Sequence, residues 1–334
     1  MRSPAFWFTP PEHPAAAARV LAPLGALYAR ATARRLASPA WRAPVPVICV
    51  GNLNAGGTGK TPTVIALAAR LAGMGIEVHV VSRGHGGRLT GPVRVDPAHH
   101  SAAETGDEPL LIAARTPVWV ARDRAAGVRA ATQAGARLVI LDDGFQNPSV
   151  AKDLSLIVVD AGVGFGNGLC LPAGPLREPV RVGLARADIL LSIGSEADQD
   201  RFSQQWGDRI GLPQMRGSLR PGLSKPALQD RAVIAFAGIG RPQKFFDSLR
   251  AEGARIIREV PLADHQPLTA DFLTRIEDEA RAAGADLITT EKDAMRLPAL
   301  DRPRVLTLPV GLHIADWTPF DRKMETLRQD LPQG

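Results

Sequence analysis

A glycine-rich segment near the start of the chain carries the residue types of a phosphate-binding loop. Residues 50–64 read VGNLNAGGTGKTPTV, and GKT is the ending of the pattern G-x-x-x-x-G-K-[ST]. In such loops backbone N–H groups surround phosphate oxygens, the lysine reaches the β- and γ-phosphates, and the hydroxyl holds Mg²⁺. The sequence therefore predicts a nucleoside triphosphate and Mg²⁺ site formed by Asn54, Ala55, Gly56, Gly57, Thr58, Gly59, Lys60 and Thr61.

The glycine that should open the pattern is replaced by Asn54. Asparagine adopts positive φ angles more readily than most residues, so we expect Asn54 to take over the turn of that glycine. The alternative is a glycine-rich turn between a strand and a helix that binds no ligand. The loops of partitioning ATPases carry a lysine at the position of Ala55, and no base-reading element of GTPases is convincingly placed. Both of those classes are therefore disfavoured.

A second group of residues is suited to order the metal. Residues 138–146 read LVILDDGFQ, an apolar strand that ends at Asp142 and Asp143. In nucleotide-binding sheets a carboxylate at the end of a neighbouring strand helps to hold Mg²⁺. Such an aspartate is common at turns, but a phosphate loop in the same sheet strengthens the interpretation. The sequence leaves open which of the two aspartates contacts the metal.

Further polar residues lie in predicted loops and at helix starts. Asp107 stands at a predicted helix start, where an acidic residue can simply cap the helix. His265 lies in a turn ahead of another helix, which by itself would be incidental. The loop 164–179 is long and too apolar for disorder, and loops of that length are usually functional. Its candidate substrate-binding residues are Asn167, Arg177 and Glu178.

Alternating strands and helices must position these side chains. Helices are predicted at 61–74, 107–115 and 123–134, and apolar runs predict strands at 45–50, 78–82, 117–121, 137–141, 155–159 and 188–193. Continuously apolar strands separated by helices are typical of a buried parallel sheet. We predict an α/β fold with a P-loop NTPase-like core, a mostly parallel sheet, and a second, smaller α/β lobe. The predicted domains are 1–40, 41–220 and 221–334, the last closing over the cleft.

The N-terminal segment 15–36 predicts an amphipathic helix. Its apolar stretch between Arg19 and Arg30 covers about ten residues, against the ~20 that a membrane span requires. At 100° per residue the arginines gather opposite an apolar side made of Val20, Leu21, Leu24, Leu27 and Tyr28. This pattern fits a helix lying in a membrane interface. A surface helix that covers the domain core fits it equally well.

Composition and charge limit the classes of molecule that the protein could bind. The formal charge is +6, so nucleic acid, an acidic membrane surface and a phosphorylated substrate are all compatible partners. There is no dense Lys/Arg block and only one tyrosine, so we expect no nucleic acid and see no sign of an obligate protein partner. The two cysteines cannot form a disulfide framework, which fits a reducing compartment.

Taken together, the motifs resemble one family, the tetraacyldisaccharide 4′-kinases of lipid A biosynthesis. The matching pieces follow the family's order along nearly the whole chain: NAGGTGKT, SRGHGG, GDEPLLIA, LDDGFQN, LPAGPLREP, FAGIGRPQKFF, DHQPLT and TTEKDAMRL. The resemblance implies transfer of the γ-phosphate of ATP to the 4′-hydroxyl of tetraacyldisaccharide 1-phosphate, which gives lipid IVA. It also implies a peripheral enzyme on the cytoplasmic face of the bacterial inner membrane, bound to its anionic surface. One departure is that D-H-Q stands where family members often have D-H-H.

The resemblance also implies roles for individual residues. Asp107 is implied as the general base, oriented by His265 across the cleft, with Lys60 as the third catalytic residue. Arg177 is implied to contact phosphate or the anionic lipid headgroup, and Glu178 to lie near the metal or the sugar. The alternative from another class is a P-loop ATPase switch that acts on membrane or nucleic acid without phosphorylating an acceptor. The destination of the γ-phosphate, acceptor or water, separates the two.

Overall fold

The computed structural model describes residues 3–222, 225–263, 266–298 and 301–330. Its strands are, in chain order, β1 Val47–Gly51, β2 Val78–Ser82, β3 Val93–Arg94, β4 Val118–Val120, β5 Leu138–Asp142, β6 Leu154–Asp160, β7 Ile189–Ile193, β8 Gln214–Pro221, β9 Ala232–Ala237, β10 Arg255–Pro261, β11 Asp286–Thr290, β12 Leu306–Leu308 and β13 Val310–Ile314. Its helices are α1 Ala16–Leu36, α2 Lys60–Gly73, α3 Ala102–Thr105, α4 Asp107–Ala113, α5 Arg124–Gln133, α6 Val180–Leu184, α7 Glu196–Trp206, α8 Pro242–Ala251, α9 Ala270–Ala282, α10 Glu291–Ala294 and α11 Thr318–Leu327.

The large sheet has nine strands in the order β13-β8-β7-β6-β1-β5-β2-β4-β3. Its strands run parallel except at the two edges, where β3 and β13 are antiparallel to their neighbours. The central strands are buried along their whole length, because helices cover both faces. Leu67 and Leu71 of α2 pack on one face, and Val128 and Ala131 of α5 pack on the other. The predicted α/β fold with a mostly parallel sheet is confirmed.

A second sheet of four parallel strands, in the order β10-β9-β11-β12, forms the smaller lobe. Its faces are covered by α8, through Phe245 and Phe246, and by α9, through Leu273 and Ile276. The small lobe is therefore an α/β unit with its own two apolar layers.

The predicted interval 221–334 for the second lobe is wrong at its C-terminal end. Strand β13 pairs with β8 in the large sheet, and α11 adds Phe320 and Met324 to the core of that sheet. Asp321 of α11 also accepts two hydrogen bonds from Arg70 of α2. Only Pro309 separates β12 from β13, so the sequence shows no loop at the point where the chain changes sheets.

Helix α1 lies against the large lobe through small residues. Its buried positions are Ala18, Gly25 and Thr32, and a Cβ atom at Gly25 would come within 2.8 Å of the Cys170 carbonyl oxygen. Of the predicted apolar side, Tyr28 packs against the core, whereas three residues stay exposed: the exposed fractions are 78% for Val20, 53% for Leu24 and 58% for Leu27.

The segment before α1 is fixed to the same part of the lobe. The Trp7 indole donates to the Pro172 carbonyl oxygen at 3.0 Å, and Trp7 accepts from the Asn167 backbone N–H at 2.8 Å. Trp7 and the middle of α1, at Gly25, thus contact the same loop, residues 161–176. Among the described residues, no helix combines the length and apolar character needed to cross a membrane.

Candidate active site

The phosphate loop runs from the end of β1 to the start of α2. Parallel strands place their carboxyl ends at the same edge of a sheet, which is where α/β proteins bind ligands. Strand β1 lies between β5 and β6, with Val50 paired to Asp142. The chain turns through Gly56 at φ 125° and Gly59 at φ 92°, which glycine adopts without strain. Helix α2 begins directly at Lys60, so its N-terminus faces the loop.

The prediction that Asn54 replaces the missing glycine with a left-handed backbone is wrong. Among the described non-glycine residues, positive φ angles occur at Asp143 and Asp230. Instead, the Asn54 side chain donates to the Gly164 carbonyl oxygen at 3.0 Å, and the Ala55 N–H donates to the Pro175 carbonyl oxygen at 2.7 Å. The phosphate loop is therefore held by the loop 161–176, and its turn is made further along the chain.

Asp142 has the environment of a metal ligand. One of its carboxylate oxygens accepts a hydrogen bond from the Ser82 hydroxyl at 2.8 Å. The other is buried and has no hydrogen-bond partner among the described residues, and an orphaned buried oxygen of this kind points to an unseen partner such as a cation. Burial, followed by the nearby acids Glu108 and Asp143, raises the pKa of Asp142 to about 6.

Asp143 is held by cations instead. Arg177 donates to one of its oxygens at 2.8 Å, and the Lys60 ammonium lies 3.8 Å from the other. Although burial opposes the shift, Lys60 and Arg177 lower the pKa of Asp143 from its ordinary value. The two neighbouring carboxylates thus differ: Asp142 has an unused oxygen, and Asp143 is already paired.

The other residues predicted in the loop 164–179 occupy two different places. Arg177 lies at the phosphate end of the site through Asp143. Glu178 is 1% exposed and accepts two hydrogen bonds from Arg186, at 2.7 and 2.6 Å. The Asn167 amide donates to the carbonyl oxygens of Phe6 and Ala173. We therefore expect Asn167 and Glu178 to brace the site rather than touch the substrate.

Asp107 is the first residue of α4 and lies against the small lobe. It is 3% exposed, and the Arg296 Nε atom lies 3.8 Å from its carboxylate. Arg296 also donates to the carbonyl oxygen of Gln266 at 3.0 Å, and Gln266 follows His265 in the sequence. His265 itself lies outside the described residues. The structure thus brings Asp107 to Arg296 of the small lobe, which is hydrogen-bonded to the residue after the predicted histidine.

Other ion pairs join the lobes around this point. Lys292 pairs with Glu108 at 3.0 Å, and Arg115 pairs with Glu291 at 2.8 Å. Arg296 and Lys292 were missed as site residues by the sequence reasoning, although both lie in the motif TTEKDAMRL at 289–297. Nothing in a single sequence says that this motif faces the start of α4.

Comparison with known proteins agrees with the motifs. The family model described as tetraacyldisaccharide-1-P 4′-kinase matches residues 17–329. The tetraacyldisaccharide 4′-kinase of Dinoroseobacter shibae is 61% identical over 98% of each chain. That of a Jannaschia species is 54% identical over 97% of this chain and 98% of the relative.

Among solved structures, the crystal structure of LpxK from Aquifex aeolicus, an "apo" form in complex with ATP, superposes with a TM-score of 0.76 at 26% sequence identity. The match covers 93% of this chain and 99% of that one. The chain therefore belongs to the tetraacyldisaccharide-1-P 4′-kinase family.

Proposed function

We propose that this protein transfers the γ-phosphoryl group of ATP to the 4′-hydroxyl of tetraacyldisaccharide 1-phosphate, giving lipid IVA. A phosphate loop alone would serve a switch ATPase equally well. The observation that carries the kinase proposal is the buried Asp107 at the junction of the lobes, in contact with Arg296 of the small lobe. A carboxylate in that position suits removal of a proton from an acceptor hydroxyl that enters between the lobes.

The large lobe would bind the nucleotide. Backbone N–H groups of residues 56–61 and the N-terminus of α2 would hold the phosphate oxygens, and Lys60 would contact the β- and γ-phosphates. The Thr61 hydroxyl and the unused oxygen of Asp142 would hold Mg²⁺, which when bound neutralises phosphate charge. Arg177 would supply a further positive charge, because its guanidinium already lies at Asp143 beside Lys60.

Asp107 would act as the general base, with His265 as its orienting partner. The Asp107 carboxylate is fixed by α4 and by Arg296, and the same arginine donates to the carbonyl oxygen of Gln266, the residue that follows His265 in the sequence. A base held in one orientation removes the hydroxyl proton as the oxygen attacks the phosphorus in line. The proton passes from the 4′-hydroxyl to Asp107, and the bond from the γ-phosphorus to the bridging oxygen of ADP breaks.

We also propose that α1 holds the enzyme on the cytoplasmic face of the inner membrane. The helix packs on the lobe through Ala18, Gly25 and Thr32 and leaves Val20, Leu24 and Leu27 exposed. A helix that only covered the core would bury its large apolar side chains. The exposed apolar row, with arginines nearby, is suited to an anionic membrane surface.

The test of the overall function follows the γ-phosphate. Purified protein is incubated with γ-labelled ATP, Mg²⁺ and the tetraacyldisaccharide 1-phosphate in mixed micelles. We expect label on the lipid, at the 4′-position, and little free phosphate without the acceptor. Release of label only as inorganic phosphate, at a rate independent of the lipid, would instead establish the switch ATPase.

The metal assignment makes a prediction about stability. Changing Asp142 to Asn should abolish transfer yet raise the Tm of the protein free of nucleotide and Mg²⁺ by a few degrees at pH 8. Because its pKa is about 6 in the folded protein and 3.8 ordinarily, the charged carboxylate lowers stability above pH 6. The gain should therefore shrink as the pH falls from 6 towards 3.8.

Thermal melts across this pH range measure the effect. Asp188→Asn is the control, because Asp188 already accepts a hydrogen bond from the Ser155 N–H at 2.8 Å and should give no gain. A lower Tm for Asp142→Asn at pH 8 would contradict the claim that the charged Asp142 carboxylate destabilises the protein when no cation is bound.

The membrane proposal predicts the effect of a triple substitution. Changing Val20, Leu24 and Leu27 together to Ser should lower binding to anionic vesicles at least about tenfold, because the apolar area entering the interface is lost. The Tm should change little, since these side chains are exposed. Vesicle co-sedimentation measures binding.

The matched control changes two exposed apolar residues elsewhere, Leu219 and Ile257, which are 44% and 42% exposed, to Ser. This control should bind vesicles like the unchanged protein. Equal binding by the triple variant and the control would assign α1 the role of a plain surface helix.

A further inference from the structure

A chain of hydrogen bonds leads away from the phosphate end of the site. Arg177 Nη1 donates to Asp143 at 2.8 Å and to the Gln146 side-chain oxygen at 3.3 Å. The Gln146 amide nitrogen donates to Glu178 at 3.0 Å. Glu178 is in turn held by Arg186, which donates to both of its carboxylate oxygens. This series of hydrogen bonds thus ends at Arg186.

Arg186 is itself rigidly placed. Its guanidinium lies over the Phe145 ring, 4.2 Å from the ring centroid, and donates to the Phe145 carbonyl oxygen at 3.4 Å. A guanidinium that is stacked on a ring and bound to both oxygens of a carboxylate has little freedom left. Arg186 is therefore held in place at the far end of the hydrogen-bond series, where it connects the turn after β5 to the region of helix α6.

Gln146 connects the same chain to the phosphate loop. Its amide nitrogen also donates to the Asn52 carbonyl oxygen at 2.9 Å, and the Asn52 side chain donates to the Gly56 carbonyl oxygen at 3.2 Å. Because the same amide nitrogen donates to both the Asn52 carbonyl oxygen and Glu178, these two acceptors together set which way the amide of Gln146 faces. A different amide orientation would turn a nitrogen donor towards Arg177, where it would repel the guanidinium.

We infer that Arg186 is a positioning residue for phosphoryl transfer, which holds Arg177 in place through Glu178 and Gln146. The inference rests on the proposed function, in which Arg177 contacts the phosphate. Arg186 does not touch the nucleotide or the acceptor in this scheme. Its effect reaches the reaction only through the orientation of the Arg177 guanidinium.

The test compares Arg186→Gln, Arg177→Gln and the double variant in acceptor phosphorylation. Arg186→Gln should lower kcat by about tenfold, the lower end of what supporting residues of a site contribute, with the KM for ATP little changed because Lys60 and the loop remain. In the Arg177→Gln background the same substitution should add little further loss, since residues that act as a unit are not additive.

Arg70→Gln is the matched control. Arg70 also binds both oxygens of a carboxylate, Asp321, and lies over a ring, Trp317, at 5.2 Å, but within the described part of the chain no hydrogen bond connects it to the phosphate loop. It should lose a similar amount of stability and keep its kcat. Equal losses of kcat in Arg70→Gln and Arg186→Gln would overturn the inference, and so would full additivity of Arg186→Gln with Arg177→Gln.

Three further outcomes are distinguished by these variants and one more, Arg186→Lys. If Arg186→Gln does not fold, Arg186→Lys keeps the charge beside Glu178 but loses the planar group stacked on the Phe145 ring and the donor to the Phe145 carbonyl oxygen; it should still lose kcat, and an unchanged kcat would overturn the inference. If Arg177→Gln itself retains full activity, the assignment of Arg177 in the proposed function fails and the role of Arg186 fails with it. If Arg177→Gln has a lowered kcat and Arg186→Gln has a normal one, the inference about Arg186 is overturned and the proposed function is not affected.

Discussion

Replacing Lys60 with alanine is expected to lower kcat for lipid phosphorylation by about 10²–10³-fold, the range seen when one donor to a developing charge is removed. Lys60 begins α2 and its ammonium lies 3.8 Å from Asp143, so it stands at the phosphate end of the site. Its side chain is 11% exposed, and a charge that is shielded from water acts strongly on a nearby phosphate. Transfer of label from ATP to the lipid measures kcat.

The control for Lys60 is Lys323→Ala. Lys323 pairs with Asp188 at 3.4 Å on the surface and is 44% exposed, so its removal should leave kcat unchanged. A Lys60→Ala variant that turns over at a near-normal rate would show that residues 54–61 do not form the nucleotide site. The turn-without-ligand interpretation would then stand.

Replacing Asp107 with alanine is expected to lower kcat by about 10²–10⁴-fold, the usual contribution of a general base. The KM for ATP should change little, because the nucleotide is held by the phosphate loop of the large lobe. Asp107→Asn should lose a similar factor, since the amide keeps the shape but cannot accept the proton. Steady-state kinetics with both substrates varied separate kcat from KM.

The control for Asp107 is an ion pair of the same junction that has no proposed catalytic role. Arg115 pairs with Glu291 across the lobes at 2.8 Å and is 42% exposed, so Arg115→Gln should retain nearly full kcat.

His265→Ala should lower kcat by a factor comparable to that of Asp107→Ala or smaller. In the variant that carries both substitutions, the loss of kcat should be smaller than the product of the two single losses. Undiminished activity in Asp107→Asn would remove Asp107 as the base.

The sequence predicts the centre of the large sheet well because each strand there is a short apolar run. Strands β1, β5 and β6 are buried on both faces, so their residues are apolar without alternation and are easy to recognise. Strand β13 is half exposed at the edge, with Gly311 and His313 open to solvent. It carries no comparable signal, which is why the return of the chain to the large sheet was missed.

Some residues of the candidate site can be predicted from their neighbours in the sequence, and others are brought together only by the fold. Lys60 and Thr61 stand at fixed offsets from the loop glycines, and Asp142 ends an apolar strand, so all three are predictable from neighbouring residues. The partner of the Asn54 amide is Gly164, 110 positions along the chain. Arg296 meets Asp107 only across the two lobes. Contacts of this kind depend on tertiary packing, which no local pattern records.

The attachment of the N-terminal region has a consequence for where the reaction takes place. Trp7 and Gly25 contact the loop 161–176, and that loop holds the phosphate loop through Asn54 and Ala55. No flexible tether separates the proposed membrane contact from the nucleotide. With α1 in the interface, the γ-phosphate would sit at a constant depth and tilt relative to the lipid headgroups. The enzyme would then select its acceptor partly by how far a hydroxyl projects from the membrane, and a soluble sugar with the same hydroxyl would lose that advantage.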